Sequence, residues 1–349
     1  MLKCLLGKIT QKQHLTAGES DYIMKRIMDG TVSDVHLGAL LAALAVKGAT
    51  ETELASFAGA MRKYSLQVSC PMDTFDIVGT GGDAAKTFNI STTAAIVVAA
   101  GGVLVAKHGN RAKTSRSGSA DMLEALGVNI FLSPESCMEM LEQIGICYFY
   151  TRYYYYMMKH IDVVREQLGI STIFDVLRPL INPAHAKYEI LGVNDPSLLE
   201  PMAHVLDRLG VRHGMVVYGQ DHSDEISAAA STAICEVTDH QYTTYQICPE
   251  QFALPRGSRD ELRGGTPKEN AAIARQVFKG ERGTRRTSIL MNAGAGLYVS
   301  GNVLTLEAGI KKAGQLIDSG QALEKLEDLI RMSQNMRVVE KVKLAAYRD

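Results

Sequence analysis

Along the first 65 or so residues, apolar side chains recur at helical spacing. Tyr22, Ile23, Ile27 and Met28 share one face after Ala17-Gly18-Glu19, and Gly30 stops the run. Ser33-Asp34 caps Val35 to Val46, a segment in which Leu37, Leu40, Leu41, Leu44 and Ala45 leave little polar surface. A helix apolar nearly all round has to be buried, in its own domain or against a partner subunit. Thr50-Glu51-Thr52-Glu53 opens a further helix that ends near Lys63. From Phe75 the pattern changes. Phe75 to Val78 reads as a short strand followed by a glycine loop, Ile90 to Ala100 as a helix, Val103 to Ala106 as a second buried strand and Ser119 to Leu126 as a helix. Strand, loop, helix, strand predicts a parallel α/β sheet. It resumes with strands over Glu189 to Val193 and Gly214 to Tyr218, flanking a helix over Pro196 to Leu209. Helices fit Pro267 to Phe278, Thr287 to Tyr298, Thr305 to Ser319 and Ala322 to Ser333. The expected fold is a small all-helical N-terminal domain followed by a larger α/β domain with a mainly parallel central sheet.

Charge and composition narrow the class. The chain has 349 residues with 37 basic and 38 acidic side chains, a balance that argues against a general nucleic-acid binder. Its longest nearly apolar stretch, Thr92 to Ala106, falls short of the roughly 20 residues a membrane helix needs. The opening residues, with a three-residue apolar core around Leu5, do not read as a secretion signal. Six scattered cysteines without a Cys-x-x-Cys pair read as reduced, mostly buried thiols, so a soluble cytoplasmic enzyme is expected.

Candidate chemistry is densest at Gly79-Thr80-Gly81-Gly82-Asp83, directly after the first strand. Glycines there let backbone N–H groups turn toward a bound anion. The run continues to Thr87-Phe88-Asn89-Ile90-Ser91-Thr92, with Ser91 at a helix start, where free amides and partial positive charge favour phosphate. It is no Walker A loop, and Ala84 stands where G-x-G-x-x-G requires its third glycine. The glycines alone also fit a plain βα turn. Lys107-His108-Gly109-Asn110-Arg111 follows the next strand, and Arg116-Ser117-Gly118-Ser119 precedes another helix. Singly, Lys107 or Arg111 reads as a solvated surface charge. Together, three anion-suited loops at the carboxyl ends of strands point to a ligand with phosphates at both ends. Asp224-Glu225 suits Mg²⁺, which takes oxygen ligands and bridges to phosphates, although Ser223-Asp224-Glu225 also reads as a capped, solvated helix start. With no nucleophile context in view, metal and positioning chemistry are favoured over covalent catalysis.

These residues, in this order, resemble the anthranilate phosphoribosyltransferase family of tryptophan biosynthesis. The matching stretches are Asp76 to Asp83, Thr87 to Thr92, Lys107 to Arg111, Ser117 to Asp121 and Leu123 to Gly127. Val164-Arg165, Leu168 to Ile170, Pro179-Leu180, Asn182 to Ala184, Asp224 to Ser227 and Glu269 to Ala271 follow. The resemblance implies transfer of phosphoribosyl from phosphoribosyl pyrophosphate (PRPP) to the amine of anthranilate, with release of pyrophosphate. It implies that Gly79, Gly81, Gly82, Asp83, Thr87, Asn89, Ser91, Thr92, Lys107 and Ser119 hold PRPP, and that Ser91, Asp224 and Glu225 arrange Mg²⁺. Gly79, Asn110, Arg165 and Tyr155 would face the acceptor, with Lys107, His108 and Asn110 positioning the reactants and no residue assigned as acid or base. It further implies a helical domain of residues 1–70 rejoined by about 157–183, an α/β PRPP-binding domain of 71–156 and 184–349, and an active site between them. The apolar segment from Val35 to Val46 suggests a homodimer through the helical domain; neither nucleic acid nor membrane is expected as a partner.

The departures from the family pattern all fall on the acceptor side. Where the family usually has His-Pro-Ala-Met-Lys, this chain has Tyr155-Tyr156-Met157-Met158-Lys159, which sets Tyr155 at the position of the family's channel histidine. The usual Gly-Ile-Arg-Thr-Ile-Phe-Asn reads Gly169-Ile170-Ser171-Thr172-Ile173-Phe174-Asp175, and Gly-Pro-Leu reads Arg178-Pro179-Leu180. Tyr155 could stack on the aromatic acid while Arg178 adds positive charge for its carboxylate. Bulky Tyr156 and Met157 could instead fit a different acceptor, or the tyrosines could pack between domains. A phosphoribosyltransferase or nucleoside phosphorylase with another acceptor is thus the alternative. A non-catalytic nucleic-acid-binding relative would need a basic face and would have no use for Asp224 and Glu225.

Overall fold

Capping chemistry sets the helices of the N-terminal unit. In the computed structural model, which describes residues 1–81, 86–112, 115–155 and 158–338, α1 (Leu2–Thr10), α2 (Ala17–Met28), α3 (Asp34–Lys47) and α4 (Glu51–Tyr64) come first. Thr16 with Glu19 and Thr50 with Glu53 close capping boxes, each pair satisfying two otherwise orphaned backbone donors. Glu53 does more. Fully buried, it also accepts from Leu15 N at 2.8 Å and pairs with Lys47 Nζ at 2.7 Å, which locks the start of α4 to the α1–α2 loop and the end of α3. Leu37, Leu40, Leu41 and Leu44 of α3 are buried, while Val35 and Val46 stay open.

The rest of the chain builds a seven-stranded sheet: β1 (Phe75–Gly79), β2 (Val105–Gly109), β3 (Ile146–Tyr150), β4 (Tyr188–Gly192), β5 (His213–Gly219), β6 (Thr232–Thr238) and β7 (Gln241–Ile247). The spatial order is β3-β2-β1-β4-β5-β6-β7; the first five strands are parallel, and β6 and β7 are antiparallel. The order turns about β1 and β4, so the loops leaving their carboxyl ends diverge and leave the crevice where open α/β sheets bind ligands. The helices α5 (Ile90–Ala100) and α13 (Thr284–Val299) are buried over nearly their whole length in the α/β core, and they pack on one another. Around them lie α6 (Ser119–Leu126), α7 (Pro134–Ile144), α11 (Leu199–Arg208), α12 (Pro267–Phe278), α14 (Leu306–Asp318) and α15 (Gln321–Asn335). Between β3 and β4 the chain forms α8 (Thr151–Tyr154), α9 (Lys159–Leu168) and α10 (Ile173–Leu177). Here α9 packs on α3 and α10 on α3 and α4, so this crossover lies with the N-terminal helices.

Three differences from the sequence expectation matter. The second strand runs to Gly109, so Lys107 and His108 are strand residues paired with Tyr148 and Phe149 of β3. Strands β3, β6 and β7, and helix α7, are additional; four successive residues of β7 are exposed, and such a strand is recognisable only from its pairing with β6. Ser223-Asp224-Glu225 starts no helix and lies in an irregular loop with Asp224 buried. Of the six free cysteines, Cys137, Cys147 and Cys235 are buried, Cys70 and Cys248 half-buried and Cys4 exposed.

Candidate active site

The acidic pair is where the structure draws the phosphate-suited loops together. Asp224 Oδ2 accepts from Gly81 N at 2.8 Å, and Glu225 Oε1 accepts from Ser91 N at 3.2 Å. One carboxylate thus holds the glycine loop and its neighbour holds the N-terminus of α5. The approach requires glycine at two strand ends: a Cβ on Gly79 would overlap Asp224 Oδ2, and one on Gly192 would overlap the Asp224 carbonyl. Burial raises the Asp224 carboxyl above its ordinary range, against the opposing Gly81 bond. A divalent cation would offset that cost. Behind the pair, Asn292 of α13 accepts from Ile226 N at 3.1 Å and donates to Ile226 O at 2.8 Å, clamping the acidic loop to the core. Among the described residues no group of three or more His, Cys, Asp or Glu side chains suits a metal. Two carboxylates and the Ser91 hydroxyl nevertheless fit Mg²⁺, which commonly takes one or two carboxylates and completes its shell with water and substrate phosphate.

Lys107 is no surface charge. It is 4% exposed, its Nζ donates to Ile77 O at 2.5 Å, and burial lowers it from its ordinary value against the attraction of Asp76 and Glu225. His108 Nδ1 bonds Asp76 Oδ2, and its Nε2 lies 3.1 Å from the Arg178 carbonyl. Asn182 donates to Asp76 Oδ2 at 2.6 Å and to Ala106 O at 2.7 Å. Burial pushes the Asp76 carboxyl up, but His108, Lys107 and Asn182 together hold it below the usual range. The imidazole is therefore a fixed strut between β1 and the 178–180 turn.

The third phosphate-suited loop, at Ser117 to Ser119, closes onto the start of α5. Asn89 Nδ2 donates to Ser117 O at 3.2 Å, while Asn89 Oδ1 accepts from Ser117 Oγ at 3.1 Å and from Asn270 Nδ2 at 2.8 Å. Ser119 Oγ donates to Asn110 O at 3.3 Å and lies 2.9 Å from Tyr148 Oη. Asp121 takes Ala112 N and Gly118 N, at 2.8 and 2.9 Å, so the turn before α6 is preformed. Thr92 is buried with an Oγ1 that finds no partner among the described residues, and Thr87 forms a bridge with Arg263. Gly82 and Asp83 lie outside the described residues, as do Tyr156 and Met157.

On the acceptor side one expectation is corrected. Tyr155 is 3% exposed, its hydroxyl donates to Ile181 O at 2.8 Å, and its ring belongs to the buried core. A tyrosine can fill a buried position when its hydroxyl finds a carbonyl, which the sequence of the run could not disclose. Asn110 Oδ1 accepts from Arg152 N at 3.2 Å. Arg165 is held by Thr172, Asp162 and Asp175 and lies over Phe174. Asn292, Asn270 and Asn182, absent from the expected site, fix its parts in place. An amide in an otherwise apolar helix, as in Leu290-Met291-Asn292-Ala293, was the available signal, because a buried amide is costly unless bonded.

The architecture and these loops are shared with known proteins. Residues 3–65 match the helical bundle domain of the glycosyl transferase family and residues 72–323 its a/b domain, and the chain belongs to that family. Within it, the chain stands among the anthranilate phosphoribosyltransferases. It is 46% identical over 339 residues to that enzyme of Lacticaseibacillus paracasei, covering 97% of this chain and 99% of the relative. Its fold matches the crystal structure of the Thermus thermophilus enzyme with a TM-score of 0.89 at 40% identity, over 94% of this chain and 99% of the other. The Saccharomyces cerevisiae enzyme in complex with PRPP and Mg matches with a TM-score of 0.86 at 28% identity, over 95% and 99%.

Proposed function

We infer that the protein transfers the phosphoribosyl group of PRPP to the amine of anthranilate, releasing pyrophosphate, with Mg²⁺ as cofactor, in tryptophan biosynthesis. The observation that carries this reading is the grip of Asp224 and Glu225 on the glycine loop and the α5 N-terminus, which brings two phosphate-suited backbone turns and two carboxylates to one place. Gly79, Gly81, Asn89, Ser91, Thr92, Lys107 and Ser119 line the PRPP side, and Gly82, Asp83 and Thr87 are assigned there from the sequence. Asp224, Glu225 and Ser91 would hold Mg²⁺, which when bound supplies positive charge for the departing pyrophosphate. Buried Lys107 and the positive end of the α5 dipole stabilise negative charge as the anomeric C–O bond breaks. Asn110 and the Arg165 segment orient the acceptor, whose neutral aromatic amine attacks the anomeric carbon without a strong base.

The test is loss of anthranilate fluorescence on mixing enzyme, PRPP and Mg²⁺. Consumption that requires PRPP supports the reading. Turnover of a nucleoside with phosphate, and none of anthranilate with PRPP, would overturn it in favour of a phosphorylase.

The same reading places the enzyme in the cytoplasm as a homodimer. Val35 and Val46, 81% and 75% exposed, lie on one face of α3, and half-exposed Val163 belongs to α9, which packs on α3. Exposed apolar side chains on these two packed helices favour a partner copy. Light scattering at the monomer mass of 38.0 kDa would overturn the dimer. Among the described residues no helix is long and apolar enough to cross a membrane.

A further inference from the structure

The acceptor inferred above carries a carboxylate, and two guanidiniums of the acceptor-side segment, Arg165 and Arg178, meet on Asp162. They are not equivalent. Arg165 is spent within the chain: Nε donates to Thr172 Oγ1 at 2.9 Å, Nη1 to Asp162 Oδ1 at 3.1 Å and Nη2 to Asp175 Oδ1. Every guanidinium nitrogen has a partner, the plane lies over Phe174, and only 8% of the side chain is exposed. Arg178 differs on each count. Among the described residues its guanidinium makes one bond, from Nη2 to the same Asp162 Oδ1 at 3.0 Å, and 24% of the side chain is exposed. A guanidinium has five N–H donors, so most of those on Arg178 are unused among the described residues.

Its place in the fold is equally specific. The Arg178 carbonyl meets His108 Nε2 at 3.1 Å, which sets the residue against the end of β2 and the loop that carries Asn110. Burial, and then the nearby Arg165 charge, hold the Arg178 guanidinium below its ordinary value, against the pull of Asp162 and Asp175. Asp175 is matched by Arg165, and Asp162 is shared by both arginines. A carboxylate arriving at Arg178 therefore meets donors with no anion dedicated to them.

We propose that Arg178 receives the acceptor's carboxylate, and that Arg165 is a positioning residue that fixes Asp162 and, through it, Arg178. The assignment rests on the anthranilate reading. It makes the carboxylate preference of the enzyme a property of position 178, and it gives Asp162 the role of a shared spacer between the two cations.

Steady-state kinetics of the full-length enzyme test it, with anthranilate and with its neutral analogue anthranilamide, for the unsubstituted chain, Arg178→Gln, Arg178→Lys and Arg165→Gln. Loss of a charge-assisted bidentate contact predicts that Arg178→Gln raises the anthranilate KM about 10- to 100-fold. The PRPP KM should stay within about twofold and the response to anthranilamide should not change, so discrimination between the two acceptors collapses. Arg178→Lys should recover part of it, since a point charge lacks the planar fork. An unchanged anthranilate KM in Arg178→Gln, or an equal loss with both acceptors, overturns the assignment while leaving the reaction intact. Collapse of discrimination in Arg165→Gln but not in Arg178→Gln also overturns it, by returning the carboxylate to Arg165. No anthranilate turnover by the unsubstituted chain would overturn the functional reading and the assignment together.

Discussion

The substitution Glu189→Gln should stabilise the protein, and the gain should grow with pH. Glu189 is a β4 residue paired in register with Asp76, so the two carboxyls share one face of the sheet. It is 1% exposed, and neither carboxylate oxygen has a hydrogen-bond partner among the described residues. Burial first, and the Asp76 charge second, push its carboxyl up to about 8 from 4.5, with Arg62 pulling the other way. Below the unfolded value both states hold the proton. Between 4.5 and about 8 only the native state does, so unfolding is favoured progressively as pH rises, by about 1.4 kcal/mol per pH unit. At neutral pH this amounts to about 3 kcal/mol, and the loss levels off near 5 kcal/mol above the native value. The amide of the variant carries no titratable proton in either state. Urea unfolding of both proteins in steps from about pH 5 to about pH 9 reads the effect directly. The expected result is two curves that nearly meet at the acid end and diverge by several kcal/mol at the alkaline end. Parallel curves, or a variant less stable throughout, would refute the assignment of a neutral buried acid.

Gly79→Ala places a methyl group on Asp224 and should lower turnover at least ~100-fold through misplacement of the acidic loop, while destabilising the fold by only about 1–3 kcal/mol; kinetics and thermal melting run side by side separate the two. Asn292→Leu strips both partners from Ile226, and should cost roughly 1–3 kcal/mol for each backbone group left unpaired and raise the Mg²⁺ concentration needed for half-maximal rate; an unaltered metal requirement would show that the clamp is not what sets the acidic pair. Chelation with EDTA should abolish phosphoribosyl transfer and added Mg²⁺ should restore it, as followed by anthranilate fluorescence; full activity in excess chelator would exclude the role given to Asp224 and Glu225.

What the linear sequence decides here is whatever depends on neighbours along the chain. Helical periodicity, the Ser33 cap, the helix start at Thr50, and the strand-glycine-helix run from Phe75 to Ala100 are local, and each is recovered almost residue for residue. The same locality makes the glycine loop and the acidic pair stand out as candidates, because a strand end, a helix start and two adjacent carboxylates are each read from neighbouring residues. Strands β3, β6 and β7 escaped notice because a short or half-exposed strand is defined by the ladder beside it. The burial of Lys107, the withdrawal of Tyr155 into the core and the clamp from Asn292 depend on contacts between residues 26 to 66 positions apart. Arg165 and Arg178 look alike as letters, but their surroundings are unequal: one guanidinium is saturated by its own helix and the following turn, the other is left with donors to spare. Which side chains are satisfied within the fold, and which remain to meet a ligand, is settled only when every competing partner has its place in space.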